Sequence, residues 1–190
     1  MNLRTLATAL IALSLCAGPL AAGTILSLTG PASPVAVGSP FTIDVGISGV
    51  ADLASYQFDI GFDPAFFTAN SVLEGPFLAT AGPTFFIPGA IDNGAGTISF
   101  TAGALAGTGP GASGDGVLAS LQFIALQQGT GSFFLLSPLL YDSVPDPIDV
   151  TTMDTTVTAA GTAVPEPSVA WLLACGLGLI ALRRGLRCLV

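Results

Sequence analysis

The side chains available for chemistry in the long central part of this chain are carboxylates, hydroxyls and amides. Residues 23–164 contain no Lys, Arg, His or Cys, yet they hold 11 of the 12 acidic residues. Without these residue types, neither a Ser-His-Asp arrangement nor a thiolate or amine nucleophile can form there. The same segment has no cation to neutralise phosphate, which excludes nucleic acid as a partner.

Paired carboxylates are the remaining option for catalysis. Asp59 and Asp63 lie four residues apart on the polar face of one predicted strand. That spacing is about 13 Å at about 3.3 Å per residue, wider than the roughly 5–9.5 Å between the two carboxylates of glycosidases. We interpret both residues as solvated strand and turn residues, and we predict that the protein is not an enzyme.

A second acidic group lies near the end of the central part. Asp142, Asp146 and Asp149 fall within eight residues, with prolines between them. Calcium prefers several oxygen ligands from one loop, but this spacing does not match an EF-hand. The favoured interpretation is a solvated acidic loop with no bound metal or other cofactor, and a calcium loop is the alternative.

Exposed aromatic side chains would be needed to stack on a sugar. The only Trp, Trp171, lies in the apolar run near the C-terminus, and Tyr56 is in phase with core-facing residues. Adjacent strand residues point to opposite faces, so one member of each Phe pair can be exposed. The favoured interpretation places these aromatics in the core or at its edges, and no ligand-binding residue is assigned. The remaining aromatics are Tyr141 and the pairs Phe66-Phe67, Phe85-Phe86 and Phe133-Phe134.

The elements that position these groups are predicted to be β-strands. Residues 41–47 and 56–63 alternate apolar and polar side chains with period two, which is typical of half-buried strands. Many short strands separated by Gly, Pro, Asn and Asp turns predict an all-β sandwich. Gly103 to Gly116 is predicted to be a flexible loop too rich in glycine to pack. Further strands are expected at 24–28, 66–73, 84–87, 96–102, 117–126, 132–136 and 150–157.

Residues 1–23 have the pattern of a secretory signal peptide. Arg4 supplies the positive charge, Leu6 to Leu15 form the apolar stretch, and small residues follow at 17–23. Cys16 suggests a lipoprotein, but Leu15 stands where a lipobox requires a small residue. All three cysteines lie in the terminal segments, so the exported part is expected to have no disulfide and no metal site built on thiols.

The C-terminal segment has three parts in order. A Val164-Pro165-Glu166-Pro167 motif precedes an apolar run from Val169 to Leu182, and basic residues follow at Arg183, Arg184 and Arg187. Prolines keep the motif extended. The run of 14 residues is roughly 21 Å long as a helix, against the roughly 30 Å of a bilayer core. A short transmembrane helix with cytoplasmic arginines is predicted.

This tail resembles the PEP-CTERM sorting signal of Gram-negative bacteria, through the motif at 164–167, the apolar span and the basic stop. The resemblance implies recognition by an exosortase, a transient stay in the inner membrane, and a link to exopolysaccharide and biofilm. It departs from the family at the end, where Cys188-Leu189-Val190 follow the basic cluster. An ordinary C-terminal membrane anchor is the alternative.

The central part resembles a cohesin domain over most of residues 25–158. The best stretch is Ala51 to Pro64, and Val37 to Val45, Gly94 to Phe100 and Gly116 to Phe123 fit the same order. The resemblance implies a jelly-roll-like β-sandwich, related to carbohydrate-binding modules, whose role is to bind a dockerin.

These observations predict a signal peptide at 1–23, a cohesin-like domain at 24–158, a linker at 159–164 and a sorting signal at 165–190. The expected function is an exported, non-catalytic binding module at the cell surface or in the extracellular matrix, with a protein partner that is dockerin-like. One alternative is a carbohydrate-binding protein of the exopolysaccharide. The other is a passive structural matrix component.

Overall fold

The structure is a computed structural model that describes residues 23–161. These residues form eleven β-strands and one short 3-10 turn at Leu78–Thr80, so the predicted all-β class is confirmed. The strands are β1 Thr24–Thr29, β2 Val35–Ala36, β3 Pro40–Phe62, β4 Phe67–Glu74, β5 Thr84–Ile87, β6 Ala90–Asp92, β7 Thr97–Leu105, β8 Ala112–Ala125, β9 Gly129–Asp142, β10 Val150–Met153 and β11 Thr155–Ala160.

Strand β3 belongs to both layers of the fold. Residues 40–53 pair with β8 and residues 44–48 with β1, whereas residues 53–62 pair with β9 and residues 55–61 with β7. The first sheet therefore has the order β10-β1-β3-β8-β4. In the second sheet β5 and β6 lie beside β7, followed by β3, β9, β11 and β2. The predicted β-sandwich is confirmed.

The passage of β3 from one sheet to the other occurs at residues 49–53. Gly49 and Asp52 have positive φ angles of 67° and 61°, and the register with β8 shifts twice there. The backbone N–H of Gly49 donates to Asp115 Oδ1 at 2.7 Å, and that of Asp52 donates to Ser113 Oγ at 2.9 Å. Side chains of β8 therefore satisfy amides that the irregular ladder leaves free.

The core lies between the two sheets and is dominated by aromatic rings. Phe133 has its ring centroid 5.0 Å from those of both Phe67 and Phe123, and Phe41 lies 5.3 Å from Phe67. Phe62 completes the cluster at 5.1 Å from Phe123. Tilted and edge-on contacts of this kind are favourable beyond the burial of area. They link β3, β4, β8 and β9 across the sandwich.

The prediction for Gly103 to Gly116 was partly wrong. Strand β7 continues to Leu105 and β8 begins at Ala112, so the segment between strands is only residues 106–111. A Cβ on Gly103 would lie 2.6 Å from the Tyr56 ring, and one on Gly116 would lie 2.5 Å from Phe77. Both glycines lie against aromatic rings that leave no room for a side chain, and this close packing is a reason for glycine other than flexibility.

Other predicted boundaries also differ; for example, the strand expected at 132–136 is the longer β9. The strands expected at 41–47 and 56–63 are parts of the continuous β3, except that Asp63 lies just beyond its end. The strand expected at 150–157 is two strands that meet at Asp154. Strand β10 pairs with β1 in the first sheet, whereas β11 pairs with β9 in the second. The chain changes sheets at Asp154, whose carboxylate accepts a hydrogen bond from the Leu135 amide at 2.9 Å. Strand β11 reaches Ala160, into the predicted linker.

The terminal segments lie outside the described residues. These are the signal peptide predicted at 1–23, except for Gly23, and the sorting signal predicted at 165–190 with its membrane helix. Across residues 23–161, no helix has the length and apolar character needed to cross a membrane.

Candidate binding face

Each of the two carboxylates considered for acid–base chemistry accepts a hydrogen bond from a backbone amide. Asp59 Oδ1 accepts a hydrogen bond from the Phe100 N–H at 2.7 Å. Asp63 Oδ1 accepts one from the Ala65 N–H at 3.0 Å, just after the end of β3. Asp59 lies within the second sheet and Asp63 in the turn that follows β3. Each carboxylate stabilises the backbone around it through its hydrogen bond.

The acidic loop after β9 is organised by Asp142. Its Oδ1 accepts hydrogen bonds from the Val144 and Asp146 amides, both at 2.9 Å, and its own N–H donates to the Asp146 carbonyl at 3.0 Å. Nowhere in residues 23–161 do three acidic, His or Cys side chains come together in a way that would hold a metal ion. Asp142 to Asp146 thus form a turn closed by its own amides, and Asp149 follows this turn in the chain.

The three Phe pairs divide between the core and the surface. Phe67 and Phe133 are fully buried, whereas Phe85 is 66% exposed and Phe134 is 45% exposed. The expected core or edge position of these Phe residues therefore holds for only some of them. Phe85 and Phe134 both belong to strands of the second sheet, on β5 and β9.

The second sheet carries most of the exposed apolar side chains. Among residues 23–161, six of the ten large apolar side chains that are exposed lie on its strands, which concentrates them on one side of the sandwich. A concentration of this kind is typical of an interaction surface. The six are Phe85, Phe100, Phe134, Leu136, Leu139 and Tyr141.

Strand register turns part of this surface into a groove. One row of paired residues runs from Phe85 through Ala104 and Ser55 to Tyr141, across β5, β7, β3 and β9. The next row runs from Ile87 through Ala102 and Gln57 to Leu139. Ala102, Ala104 and Ser55 in the middle are small and the residues on both sides are large and apolar, which leaves a groove of about 210 Å³.

We name this surface the groove face; it consists of the groove with the neighbouring exposed residues Phe100, Phe134 and Leu136.

The electrostatics around the groove face are negative throughout. Asp59 lies next to Gln57 on the outer side of β3, and Asp142 follows Tyr141 at the end of β9. Asp154 borders Phe134. Because residues 23–164 contain no basic residue, none of these charges is neutralised within this part of the chain.

Asp52 forms hydrogen bonds with two loops near one end of the groove face, the one before β8 and the one after β9. Its Oδ2 accepts a hydrogen bond from the Ser143 hydroxyl at 2.6 Å, and its Oδ1 accepts one from the Gly111 amide. These hydrogen bonds, that of Ser143 first, lower the pKa of the Asp52 carboxyl below its ordinary value. On the inner side of the same sheet, burial raises the pKa of the Tyr56 phenol.

Tyr141, Phe85 and Phe134 were among the aromatics considered from the sequence, and the structure places all three on the groove face. Leu136, Leu139 and Phe100 were missed. For β9 a signal existed, because Leu135-Leu136 and Leu139-Leu140 place apolar residues on both faces of one strand. For Phe100 there was none, since its exposure depends on a bulge in the pairing of β7 with β3.

The fold and the groove face together define a β-sandwich module whose distinguishing surface is an apolar groove with an acidic border. The chain belongs to the cohesin domain family, whose model matches residues 26–159. This match confirms the resemblance proposed for the central part of the sequence. No curated protein gives a significant match.

Solved cohesins have the same fold at low sequence identity. The second type II cohesin module from the adaptor ScaA scaffoldin of Acetivibrio cellulolyticus is 14% identical, with a TM-score of 0.62 over 77% of this chain and 96% of that one. A non-cellulosomal cohesin from the archaeon Archaeoglobus fulgidus is 18% identical, with a TM-score of 0.57 over 75% and 94%.

A third similar structure is a type II cohesin of Acetivibrio cellulolyticus in a complex with X-Dockerin. It is 16% identical, with a TM-score of 0.60 over 72% of this chain and 99% of that chain. At these identities the similarity establishes the fold, and the groove face is a property of this chain's own residues.

Proposed function

We propose that the chain is an exported, non-catalytic protein-binding module that acts at the cell surface or in the extracellular matrix, and that its partner docks on the groove face. The observation that carries this proposal is the concentration of exposed apolar side chains on the second sheet. Leu139 is 48% exposed and Phe85 is 66% exposed on the two walls of one groove. A partner that covers them removes apolar area from water, which favours binding.

A polypeptide partner fits the groove face better than a sugar. The groove walls are Phe85, Ile87, Leu139 and Tyr141, and the polar groups between them are few. A glycan site needs several hydrogen-bonding groups beside its stacking rings. The dockerin bound in the similar Acetivibrio cellulolyticus complex supports a dockerin-like partner for this chain as well.

A photocrosslinking residue placed on the groove face tests this proposal in the producing organism. It replaces Leu139 in the full-length chain, and a control chain carries it at Leu73, which is 51% exposed on β4 in the first sheet. The expected result is a discrete protein adduct with the Leu139 probe and none with the Leu73 probe, identified by mass spectrometry.

Other adduct patterns would decide against the proposal. Adducts that carry glycan only at residue 139 would favour the carbohydrate-binding alternative, for which the exposed Phe85 and Tyr141 rings are the supporting observation. Equal labelling from residues 73 and 139, or no adduct from either, would favour a passive matrix component.

We further propose that the terminal segments deliver the module. A signal peptide at 1–23 would start export, and the linker at 159–164 would lead to a sorting signal at 165–190 that an exosortase recognises in the inner membrane of a Gram-negative bacterium. Glu166→Ala should leave unprocessed precursor in the membrane, as should replacement of Arg183 and Arg184. Surface material that still ends at Val190 by mass spectrometry would contradict this route.

A further inference from the structure

Both neighbours of β3 in the second sheet have a bulge, and the two bulges lie opposite adjacent residues of β3. On one side, Phe58 pairs with Thr101 and Ile60 with Ile98, so β7 has one extra residue between these pairs. On the other side, Gln57 pairs with Leu139 and Asp59 with Leu136, so β9 has one extra residue there. The β7 bulge therefore lies opposite Asp59, and the β9 bulge lies opposite Phe58, the residue before it.

Each bulge contains a residue other than glycine with a positive φ angle. Phe100 in β7 has φ of 62°, and Ser137 in β9 has φ of 48°. This conformation is uncommon for such residues, and bulges re-aim side chains and often lie beside functional sites. The β7 bulge brings the Phe100 amide to Asp59 and leaves the Phe100 ring 51% exposed.

Asp59 is consequently a fixed negative charge among apolar neighbours. One oxygen accepts the Phe100 N–H at 2.7 Å, which holds the carboxylate in place. Leu136, its partner in β9, is 44% exposed, and Gln57 at the edge of the groove lies two residues away along β3. No Lys, Arg or His exists in residues 23–164 to pair with this charge.

Resting on the function proposed above, we propose that Asp59 is a specificity-determining residue that receives a Lys or Arg of the partner, while the groove receives an apolar side chain of the same segment. Apolar surroundings strengthen a charge-assisted hydrogen bond once the partner excludes water. The Phe100 ring is exposed and belongs to the residue whose amide binds the carboxylate, so it offers a further contact to a cation.

The spacing of the two subsites suits a helical segment. Gln57 and Asp59 are about 6–7 Å apart along the strand at about 3.3 Å per residue. A helix rises about 6 Å in four residues. A helix lying along β3 can therefore place an apolar residue in the groove and a basic residue one turn away at Asp59.

Selection from a displayed library tests this arrangement. A phage-displayed library of three-helix domains, with one helix face randomised, is selected on the full-length chain in mild detergent. Binders specific for the groove face are those whose affinity is lost with Leu139→Ser, a change at an exposed position. Among them, a basic residue one turn from an apolar one should be enriched.

The decisive variant is Asp59→Asn, because an Asn side-chain oxygen can still accept the Phe100 N–H while the charge is removed. Binding should weaken about tenfold or more. The matched control is Glu74→Gln, which removes one charge from an exposed position on β4 in the first sheet and should leave affinity within about twofold. Raising sodium chloride should weaken binding to the unmodified chain more than to Asp59→Asn.

The outcomes separate the two proposals. Groove-dependent binders without basic residues, or with equal affinity for Asp59→Asn and the unmodified chain, overturn the role of Asp59 and leave the groove face as the binding surface. A selection that yields no binder sensitive to Leu139→Ser counts against both.

Discussion

Gly103→Ala should strongly destabilise the domain, although Gly103 lies in a segment that the sequence predicts to be a flexible loop. The new Cβ would lie 2.6 Å from two carbons of the Tyr56 ring and 2.7 Å from its hydroxyl oxygen. Non-bonded carbon atoms prefer about 3.5–4.0 Å, so a displacement of about 1 Å is required. Tyr56 is only 2% exposed, stacks on Phe58 at a centroid distance of 5.7 Å, and donates to the Leu118 carbonyl at 2.8 Å, which opposes that displacement.

The expected cost follows from these contacts. Overpacking of a core costs about 1–3 kcal/mol, and the fixed ring places Gly103→Ala at the upper end. The lower entropy of the unfolded Ala chain offsets about 0.4–1 kcal/mol. A net loss of about 2–3 kcal/mol corresponds to a melting temperature lower by about 10 °C for a domain of this size.

Urea unfolding of residues 23–161 followed by far-UV circular dichroism measures this loss, since this part of the chain has no Trp. Gly109→Ala is the matched control, because a Cβ there has no atom within 4 Å. Adding Tyr56→Phe frees the ring from Leu118, so the double variant should lose less stability than the sum of the two single changes. If Gly103→Ala and Gly109→Ala both unfold within about 0.5 kcal/mol of the unmodified domain, residue 103 is not packed as described.

Other predictions concern the core and the charges. Phe58→Ala should cost about 3–5 kcal/mol in urea unfolding, because Phe58 is fully buried; a cost under about 1 kcal/mol would contradict the strand phase of β3. Sodium chloride should raise the melting temperature modestly by screening repulsion among acids, and calcium at equal ionic strength should act nearly alike. A rise specific to calcium that Asp146→Asn abolishes would instead assign a site to the acidic loop. Hydrogen bonds from Ser143 and Gly111 lower the pKa of Asp52, so their stabilisation is complete above the ordinary value of 3.8 and is lost as pH falls through the lower folded pKa. In acid titrations, Asp52→Asn should remove that part of the pH dependence; a titration identical to that of the unmodified domain would show that Asp52 does not contribute it.

The sandwich was predictable because its strands have strict local patterns. Residues 41–47 and 56–63 alternate apolar and polar side chains with period two, and the apolar members are the ones buried in the core. The alternating pattern did not indicate that β3 continues from one sheet into the other. The residues between the two stretches include Gly49 and Asp52, whose positive φ angles are as typical of a turn between strands as of a bent strand.

The groove face could not be predicted, because it depends on pairing between distant segments. Phe85 and Tyr141 are separated by more than fifty residues and come into one row only through the registers of β5, β7, β3 and β9. The same holds for Gly103, whose need for glycine arises from the Tyr56 ring on a neighbouring strand. Local composition cannot distinguish a glycine that gives flexibility from one that makes room for a ring.

Because residues 23–164 have no basic side chain, their carboxylates bind hydrogen-bond donors of the fold instead of cations. Seven accept backbone amides and an eighth, Asp44, accepts the Ser120 hydroxyl at 2.6 Å. The seven are Asp52, Asp59, Asp63, Asp92, Asp115, Asp142 and Asp154. An amide satisfies the hydrogen-bonding capacity of a carboxylate without neutralising its charge. The interactions that stabilise turns, bulges and the corner of β3 therefore leave the surface uniformly negative. Asn in place of Asp59 can still accept the Phe100 N–H, but it carries no negative charge. This substitution therefore separates the stabilising hydrogen bond from the attraction of a cationic partner.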